Sequence, residues 1–137
     1  MTTQEKEKIR KTALSEANRY RDNANQNFEK AKIDDATHSY IDVKYVKTAY
    51  GILYSGALVI LDAYIRLKGK KKAANRKTID YYRETVKDDK TMLKFLNMIY
   101  DSAHLAGYYD GNLSVGLKKD TFSVYENFVR YFKNVTL

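Results

Sequence analysis

Asp101 and His104 are the residues of this chain whose types and spacing come closest to a catalytic arrangement. They lie three positions apart in a predicted helix, with Tyr108 one turn further on, and this spacing puts side chains on one face. A carboxylate placed there could orient the imidazole for acid–base work or for contact with a phosphate. The alternative, which we prefer, is a histidine at the surface or at the edge of the core that pairs with a carboxylate and has no catalytic role.

Asp34 and His38 are four positions apart, which would suit a metal ion only if both shared a helix. The turn predicted at Asp34–Thr37 passes between them. A divalent site also needs at least three protein ligands, and the chain has two His and no Cys. We therefore expect no metal and no cofactor. Phosphate-loop, dinucleotide, hydrolase-elbow and zincin motifs are absent from the sequence.

The segment RLKGKKKAANRK, residues 66–77, contains seven basic residues and no acid, and we call it the basic connector. Of the 25 Lys and Arg, the other 18 nearly balance the 17 Asp and Glu, so almost all of the net charge of +8 lies there. Such clustering favours an acidic partner, namely a nucleic acid, a nucleotide or an acidic protein face. The predicted binding residues are Arg66, Lys70, Lys71, Lys72, Arg76 and Lys77.

A solvated loop that aids solubility is the alternative interpretation of the basic connector. Tyr108, Tyr109 and Asp110 bear on this choice, because a tyrosine beside the connector could stack a base while Lys and Arg hold phosphates. For these tyrosines too there is a simpler interpretation: a turn after a helix, with one of the two rings buried.

Helices are the elements expected to position these residues. The 137 residues include six Gly and no Pro, so the turn residues that all-β folds need are missing. We expect a single domain over residues 1–137, held by packing alone. The longest uncharged run, residues 48–61, is shorter than the roughly 20 residues of a membrane span, which favours a buried core helix. The charged N-terminus lacks a secretory signal. We expect a cytoplasmic protein without membrane contact.

Apolar periodicity divides the chain into four long helices and one short helix, with connections near residues 33–40, 69–75, 87–89 and 109–115. The first helix has an Ala-rich stripe. The second is the most apolar, and Gly56 in its middle predicts close approach of a neighbouring helix. The short third helix is expected from Asn75 to Lys87. The fourth presents one stripe, Met92, Leu96, Ile99, Ala103 and Ala106. The predicted fold is an all-α antiparallel bundle.

The second helix, VKYVKTAYGILYSGALVILDAYIRLKG, resembles the corresponding helix of HEPN-like bundles in its residues Tyr50, Gly51, Tyr54, Ala57, Leu58 and Gly69. The segment IYDSAHLAGYYDGN and a last helix ending FVRYFKNV add to the resemblance, which covers most of residues 5–134. It implies ribonucleases, partners of small nucleotidyltransferases, or uncharacterised members. The ribonucleases carry an Arg shortly before a His on a late helix. Here the nearest Arg before His104 is Arg83, twenty-one positions earlier, so the motif is not met.

Taken together, these features predict a non-enzymatic binding module whose basic connector contacts an acidic partner. A HEPN-type ribonuclease or toxin-related protein using His104 is the first alternative, and it would need a distant Arg or a second protomer to supply a cation. A structural homo-oligomer, with the Ala-rich first helix and exposed Tyr at a two-fold interface, is the second.

Overall fold

The computed structural model of the chain describes residues 1–70 and 76–137. The bounds of its elements, in chain order, are α1 Thr3–Ala31, β1 Ile33–Asp34, β2 Ser39–Tyr40, α2 Val43–Leu67, α3 Ile79–Val86, α4 Lys90–Ile99, a π-helix Tyr100–Tyr109 that continues α4, and α5 Val115–Asn134. The all-α prediction is confirmed. The helices α1, α3, α5 and the π-helix all contact α2, which is the central element.

Helix α1 begins at Thr3, after a cap in which the Thr2 hydroxyl accepts a hydrogen bond from the Glu5 amide at 3.1 Å. Its narrow apolar stripe faces the core as expected, and the buried residues are Ala13, Ala17, Ala24, Phe28 and Ala31. Small side chains along this stripe let α2 approach closely.

The connection after α1 contains two short antiparallel strands that the sequence analysis did not predict. Ile33 pairs with Tyr40 and Asp34 pairs with Ser39. Each strand has only two residues, which is too short for an alternating apolar pattern to be visible in the sequence. The Tyr40 amide also donates to the Leu113 carbonyl at 2.8 Å, so the hairpin ties this end of α1 to the segment before α5.

Helix α2 begins after the Asp42 cap and has the largest set of buried residues in the described chain, as expected for the central helix. By length and composition it could span a membrane, but 56% of its most apolar window is buried inside the protein. At Gly56 the predicted close approach is confirmed. A Cβ atom there would lie 2.8 Å from the Tyr20 Cβ and would overlap the Tyr125 hydroxyl.

Helix α3 begins at Ile79, later than the predicted Asn75, because the Thr78 hydroxyl caps it by accepting from the Tyr81 amide at 3.2 Å. Residues 71–75 lie outside the described chain. Asp89 caps α4 as predicted, through the Met92 amide at 3.0 Å. Its carboxylate also accepts hydrogen bonds from the hydroxyls of Tyr64 at 2.8 Å and Tyr131 at 2.7 Å, which joins three helices at one point.

The second half of the predicted fourth helix is a π-helix, which corrects the predicted stripe. Hydrogen bonds there close between residues i and i+5, as in the bond from the Asp110 amide to the Leu105 carbonyl at 3.0 Å. The wider turn moves the inward position from Ala106, which is half-buried, to Gly107, which is buried. Ala103 stays in the core.

Candidate functional site

A row of partly exposed rings lies on the surface where α2 meets the π-helix. Because residues four and five positions apart stand one above the other in a π-helix, Tyr100, His104, Tyr108 and Tyr109 line up on one side of it. Tyr54 projects from α2 into the same row. We call these five residues the ring face.

His104 is at the centre of the ring face. Its ring stacks on Tyr54 with centroids 4.5 Å apart and lies nearly parallel to Tyr108 at 6.0 Å, with an interplanar angle of 8°. Tyr100 lies 5.0 Å away, and Tyr109 meets the imidazole edge-on at 4.9 Å. Tyr108 and Tyr109 are 45% and 60% exposed. The surface they offer is therefore aromatic and open to solvent.

Two glycines allow this arrangement. A Cβ at Gly51 on α2 would lie 3.0 Å from the Tyr108 ring, so the absence of a side chain lets Tyr108 lie against the helix. At Gly107 a Cβ would overlap the buried Tyr50 ring, 2.6 Å from its Cδ1 atom. The position of the ring face thus depends on backbone-to-ring contact on both helices.

Arg83 supplies a cation at one end of the ring face. Its Cζ lies 5.2 Å from the centroid of Tyr100, within the range of a cation–π contact. Its Nε donates to the Asn97 Oδ1 at 2.9 Å, and its Nη1 lies 3.6 Å from the exposed Asp80 carboxylate. The short link between α3 and α4 folds α3 back onto α4. Arg83, which is far from His104 in the sequence, therefore contacts Tyr100, one helical turn before His104.

The electrostatics of the ring face reflect partial burial. Burial lowers the pKa of His104, which favours the neutral imidazole. Burial also raises the pKa of Tyr54 to about 12, an effect that the nearby Arg83 opposes. The imidazole of His104 and the hydroxyl of Tyr54 are therefore uncharged at neutral pH, and the Arg83 guanidinium lies nearby. That combination suits planar aromatic groups attached to an anion.

The residues predicted as the secondary site, Asp101, His104 and Tyr108, are only partly brought together. Asp101 is exposed, and within the described residues no hydrogen bond or ion pair joins it to His104. The rings of Tyr54 and Tyr100 occupy the space beside the imidazole instead. An orienting carboxylate is therefore not part of this site.

The exposure and the position of Tyr108 and Tyr109 both differ from what the sequence analysis expected. Both rings are exposed, so the interpretation with one buried ring is wrong. Nor do they lie beside the basic connector: Tyr108 contacts Gly51, and Arg66 is fifteen residues further along α2, roughly 22 Å by helical rise. The sequence suggested that one of these tyrosines stacks a base next to the cations of the basic connector. In the structure the cation beside the row of rings is Arg83.

Two cations of the basic connector are used within the protein. The Lys70 ammonium donates to the Asp88 carboxylate at 2.8 Å and to the Thr85 carbonyl at 2.9 Å. Lys77 lies 3.1 Å from Asp62, whose carboxylate also accepts from the Tyr82 hydroxyl. These contacts hold α3 against the end of α2.

Arg66 and Arg76 are exposed, and neither side chain has a hydrogen bond or ion pair to another residue in the described part of the chain. Lys71 and Lys72 lie outside the described residues. Of the six predicted binding residues, Arg66 and Arg76 are thus the described ones that remain available to a partner. Binding by the connector stays a prediction.

Sequence reasoning missed Tyr54 and Arg83 as site residues. The hairpin of α3 and α4 was foreseeable from the Asp88–Asp89 turn. That Arg83 meets Tyr100 depends on how α3 packs against α4, which the sequence does not show.

Metal ligands are not clustered in the described residues, where no group of three or more His, Cys, Asp or Glu could hold an ion. Asp34 uses its carboxylate to accept from the Ala36 amide at 3.0 Å, and His38 is an exposed turn residue with a φ of 54°. The two therefore do not share a helix, as the sequence indicated.

The Ala stripe of α1 bears on the predicted two-fold interface. Ala13, Ala17, Ala24 and Ala31 are covered by α2 of the same chain. A homo-oligomer would have to use another surface, and the oligomeric state stays a prediction.

Comparison with known proteins adds a family and a structural neighbour. A solved structure described as a protein of unknown function from Dyadobacter fermentans has 32% sequence identity and a TM-score of 0.78 to this chain, and the match covers 97% of this chain and 98% of that one. No curated protein matches the chain. The family profile described as Domain of unknown function (DUF5618) matches residues 12–134, and the chain belongs to that family.

Proposed function

We propose that this protein is a non-enzymatic module that binds single-stranded nucleic acid. Bases stack on the ring face, and Arg83, followed by Arg76 and Arg66 of the basic connector, holds phosphates. The observation that carries the proposal is the contiguous row of rings around His104, with Arg83 5.2 Å from the Tyr100 centroid. Exposed aromatic rings next to cations are the combination by which proteins bind single strands without strong base preference.

Helix α3 provides the link between the ring face and the connector. From Ile79 to Arg83 the helix rises by four residues, roughly 6 Å, and Lys77 at the end of the connector lies two residues before Ile79. A flexible single strand that stacks on Tyr109 and His104 can therefore continue past Arg83 toward Arg76. A duplex holds its bases stacked inside and cannot offer them to the rings.

Fluorescence anisotropy with a short labelled RNA at several salt concentrations tests this proposal. If three or four phosphates are engaged, the slope of log affinity against log salt should be roughly −2 to −3, from about 0.7 for each single-strand contact. Tyr109→Ala should weaken binding by about fivefold or more, since one stacked base contributes about 1–3 kcal/mol. Arg83→Gln should weaken binding and flatten the salt slope.

Tyr45→Ala is the matched control, because Tyr45 is a half-buried tyrosine on α2 that lies against Lys30 and Lys44 and outside the ring face. It should leave affinity unchanged. Equal affinity of wild type and Tyr109→Ala, or preference for duplex over single strand, would contradict the proposal.

A ribonuclease using His104 is the second candidate, and one observation favours it. The helix that carries His104 lacks the arginine of the HEPN motif. Arg83 of α3 instead supplies an arginine next to Tyr100, one turn from His104. In this second candidate the protein is related to HEPN-like bundles and has a nucleotidyltransferase-like partner. RNA cleavage by the purified protein that is lost in both His104→Ala and Arg83→Gln would favour this candidate over simple binding. Copurification of a nucleotidyltransferase would support the partner.

A further inference from the structure

A second surface, distinct from the ring face, is a groove between the N-terminal half of α1 and the C-terminal half of α2, closed at one end by α3. Its volume is about 910 Å³. Small and apolar side chains form its floor, among them Ile9 and Ala13 from α1 and Val59 and Ala63 from α2. A volume of this size is within the range of small-molecule sites, about 300–1,000 Å³.

The shape of the groove suits an elongated ligand. The lining residues from Glu5 to Glu16 extend about 16 Å along α1. An extended alkyl chain that lies along α1 can therefore contact the apolar floor over its length.

The charges of the groove favour a single negative charge on that chain. Asp62 is paired with Lys77, Lys70 with Asp88, and Glu16 with Arg19 at 2.6 Å.

The charged lining side chains that remain have no hydrogen bond or ion pair to another described residue, and they are Glu5, Lys8 and Arg66. Positive charge is therefore left uncompensated in the groove. Arg66 is the better anchor, because its guanidinium matches the planar geometry of a carboxylate.

We propose that this groove binds a straight-chain aliphatic carboxylate, with its alkyl chain on the Ala13 and Ala63 floor and its carboxylate on Arg66. Burying the alkyl chain against apolar side chains provides affinity. The charge-assisted bidentate contact with Arg66 fixes the direction in which the chain lies.

Isothermal titration calorimetry with three probes of equal chain length tests the proposal: decanoate, decanol and decyltrimethylammonium, each below its micelle concentration. Decanoate should bind at least tenfold more tightly than decanol, because a hydrogen bond to a charged group is worth about 1.5–3 kcal/mol. The ammonium probe should bind most weakly. Arg66→Gln should reduce decanoate affinity about tenfold and leave decanol unaffected.

Arg130→Gln is the matched control, because Arg130 is an exposed arginine on α5 outside the groove, bonded to Asn127. It should not alter decanoate binding. Ala63→Leu should fill the floor and abolish binding of both probes. NMR titration of the wild type provides a readout that needs no variant, and the methyl signals of Ala63, Val59 and Ile9 should shift with decanoate.

Equal affinity for decanoate and decanol would overturn the proposal, as would unshifted methyl signals or an unchanged affinity in folded Ala63→Leu. The RNA titrations of Tyr109→Ala and Arg83→Gln involve other residues, so failure here is distinguishable from failure of the proposed function.

Discussion

The two halves of α2 meet their neighbours through different contacts. In the half that begins at Val43, Gly51 lies against the Tyr108 ring, and Tyr50 packs on the backbone of Gly107. In the half that ends at Leu67, polar bonds add to the buried apolar residues: Asp62 binds Lys77 and the Tyr82 hydroxyl. The first half is held by shape, and the second is held by charges and hydroxyls in addition to its apolar core.

This difference shows why a charge cluster in a sequence does not by itself identify a free cationic surface. Lys70 and Lys77 are conspicuous in the basic connector, yet both are neutralised by acids that lie far from them in the chain. The cation that contacts Tyr100 of the ring face, Arg83, stands outside the connector. Its availability depends on how helices pack, which composition cannot reveal.

Gly107→Leu should have the largest effect on stability, because it tests the half held by shape. The new side chain would overlap the buried Tyr50 ring, and both helices would have to separate. We expect a loss of about 3 kcal/mol or more in the free energy of unfolding, at the upper end of overpacking effects. Urea unfolding followed by circular dichroism measures it.

Gly116→Ala is the control for that experiment, because the nearest atom to its new Cβ, the Ser114 Oγ, is 3.4 Å away. This substitution should leave stability equal or slightly higher. A loss below about 0.5 kcal/mol in Gly107→Leu would show that the two helices are not in close contact there.

Gly56→Leu tests whether close packing continues to the middle of α2. The added side chain would meet Tyr20 and displace the Tyr125 hydroxyl from the Ala17 carbonyl, to which it donates at 2.7 Å. We expect a cost of about 2–3 kcal/mol despite the gain in helix propensity. Ser55→Leu places the same side chain on the adjacent exposed position and should cost little. If Gly56→Leu and Ser55→Leu have the same melting temperature, the close contact at Gly56 makes no specific contribution to stability.

The sequence predicted the helices well because their signals are local. The hydroxyl of Thr2 and the carboxylate of Asp89 identify two helix starts, and the spacing of small and apolar residues identifies the faces. The site was less predictable. The π-helix changes which residue faces the core after Ala103, and nothing in the sequence distinguishes Ala106 from Gly107 for that role. The spacing of His104 and Tyr108 did predict that these two share a face, but the position of Tyr109 beside them follows from the wider turn and was hidden.

Asp89→Asn probes the half of α2 that is held by polar bonds. The carboxylate caps α4 and accepts from two hydroxyls, one of them on the fully buried Tyr64. An amide has one oxygen to accept with, so a Tyr hydroxyl would lose its charged acceptor. We expect a loss of about 1.5–2 kcal/mol in the free energy of unfolding at neutral pH, in the range of one charge-assisted hydrogen bond.

The Asp89 carboxylate should also make the free energy of unfolding depend on pH. Burial raises the pKa of Asp89, but bonds from the Met92 amide, Tyr131 and Tyr64 outweigh it, and the pKa is lowered from 3.8. Its stabilising contribution is therefore complete above the unfolded-state pKa and is lost as pH falls through the lower folded-state value. Unfolding free energies measured from pH 7 down to about 2 should fall below roughly pH 4, and less steeply in Asp89→Asn. Parallel curves for the two proteins would contradict this account.

Lys70→Gln should have the smallest effect on stability. It nevertheless distinguishes a solvated basic connector from one whose cations form bonds within the protein. If Lys70 were simply solvated, its neutralisation would leave stability unchanged. Because it donates to the Asp88 carboxylate and to the Thr85 carbonyl, we expect a small loss, about 0.3–1 kcal/mol at low salt. Added salt should shrink the difference, since the pair is partly exposed. Arg76→Gln removes an exposed connector cation without a described partner and should leave stability unchanged. Thermal melts of both variants at low and high salt provide the measurement, and identical melting temperatures for Lys70→Gln and wild type at low salt would show that Lys70 is as free as Arg76.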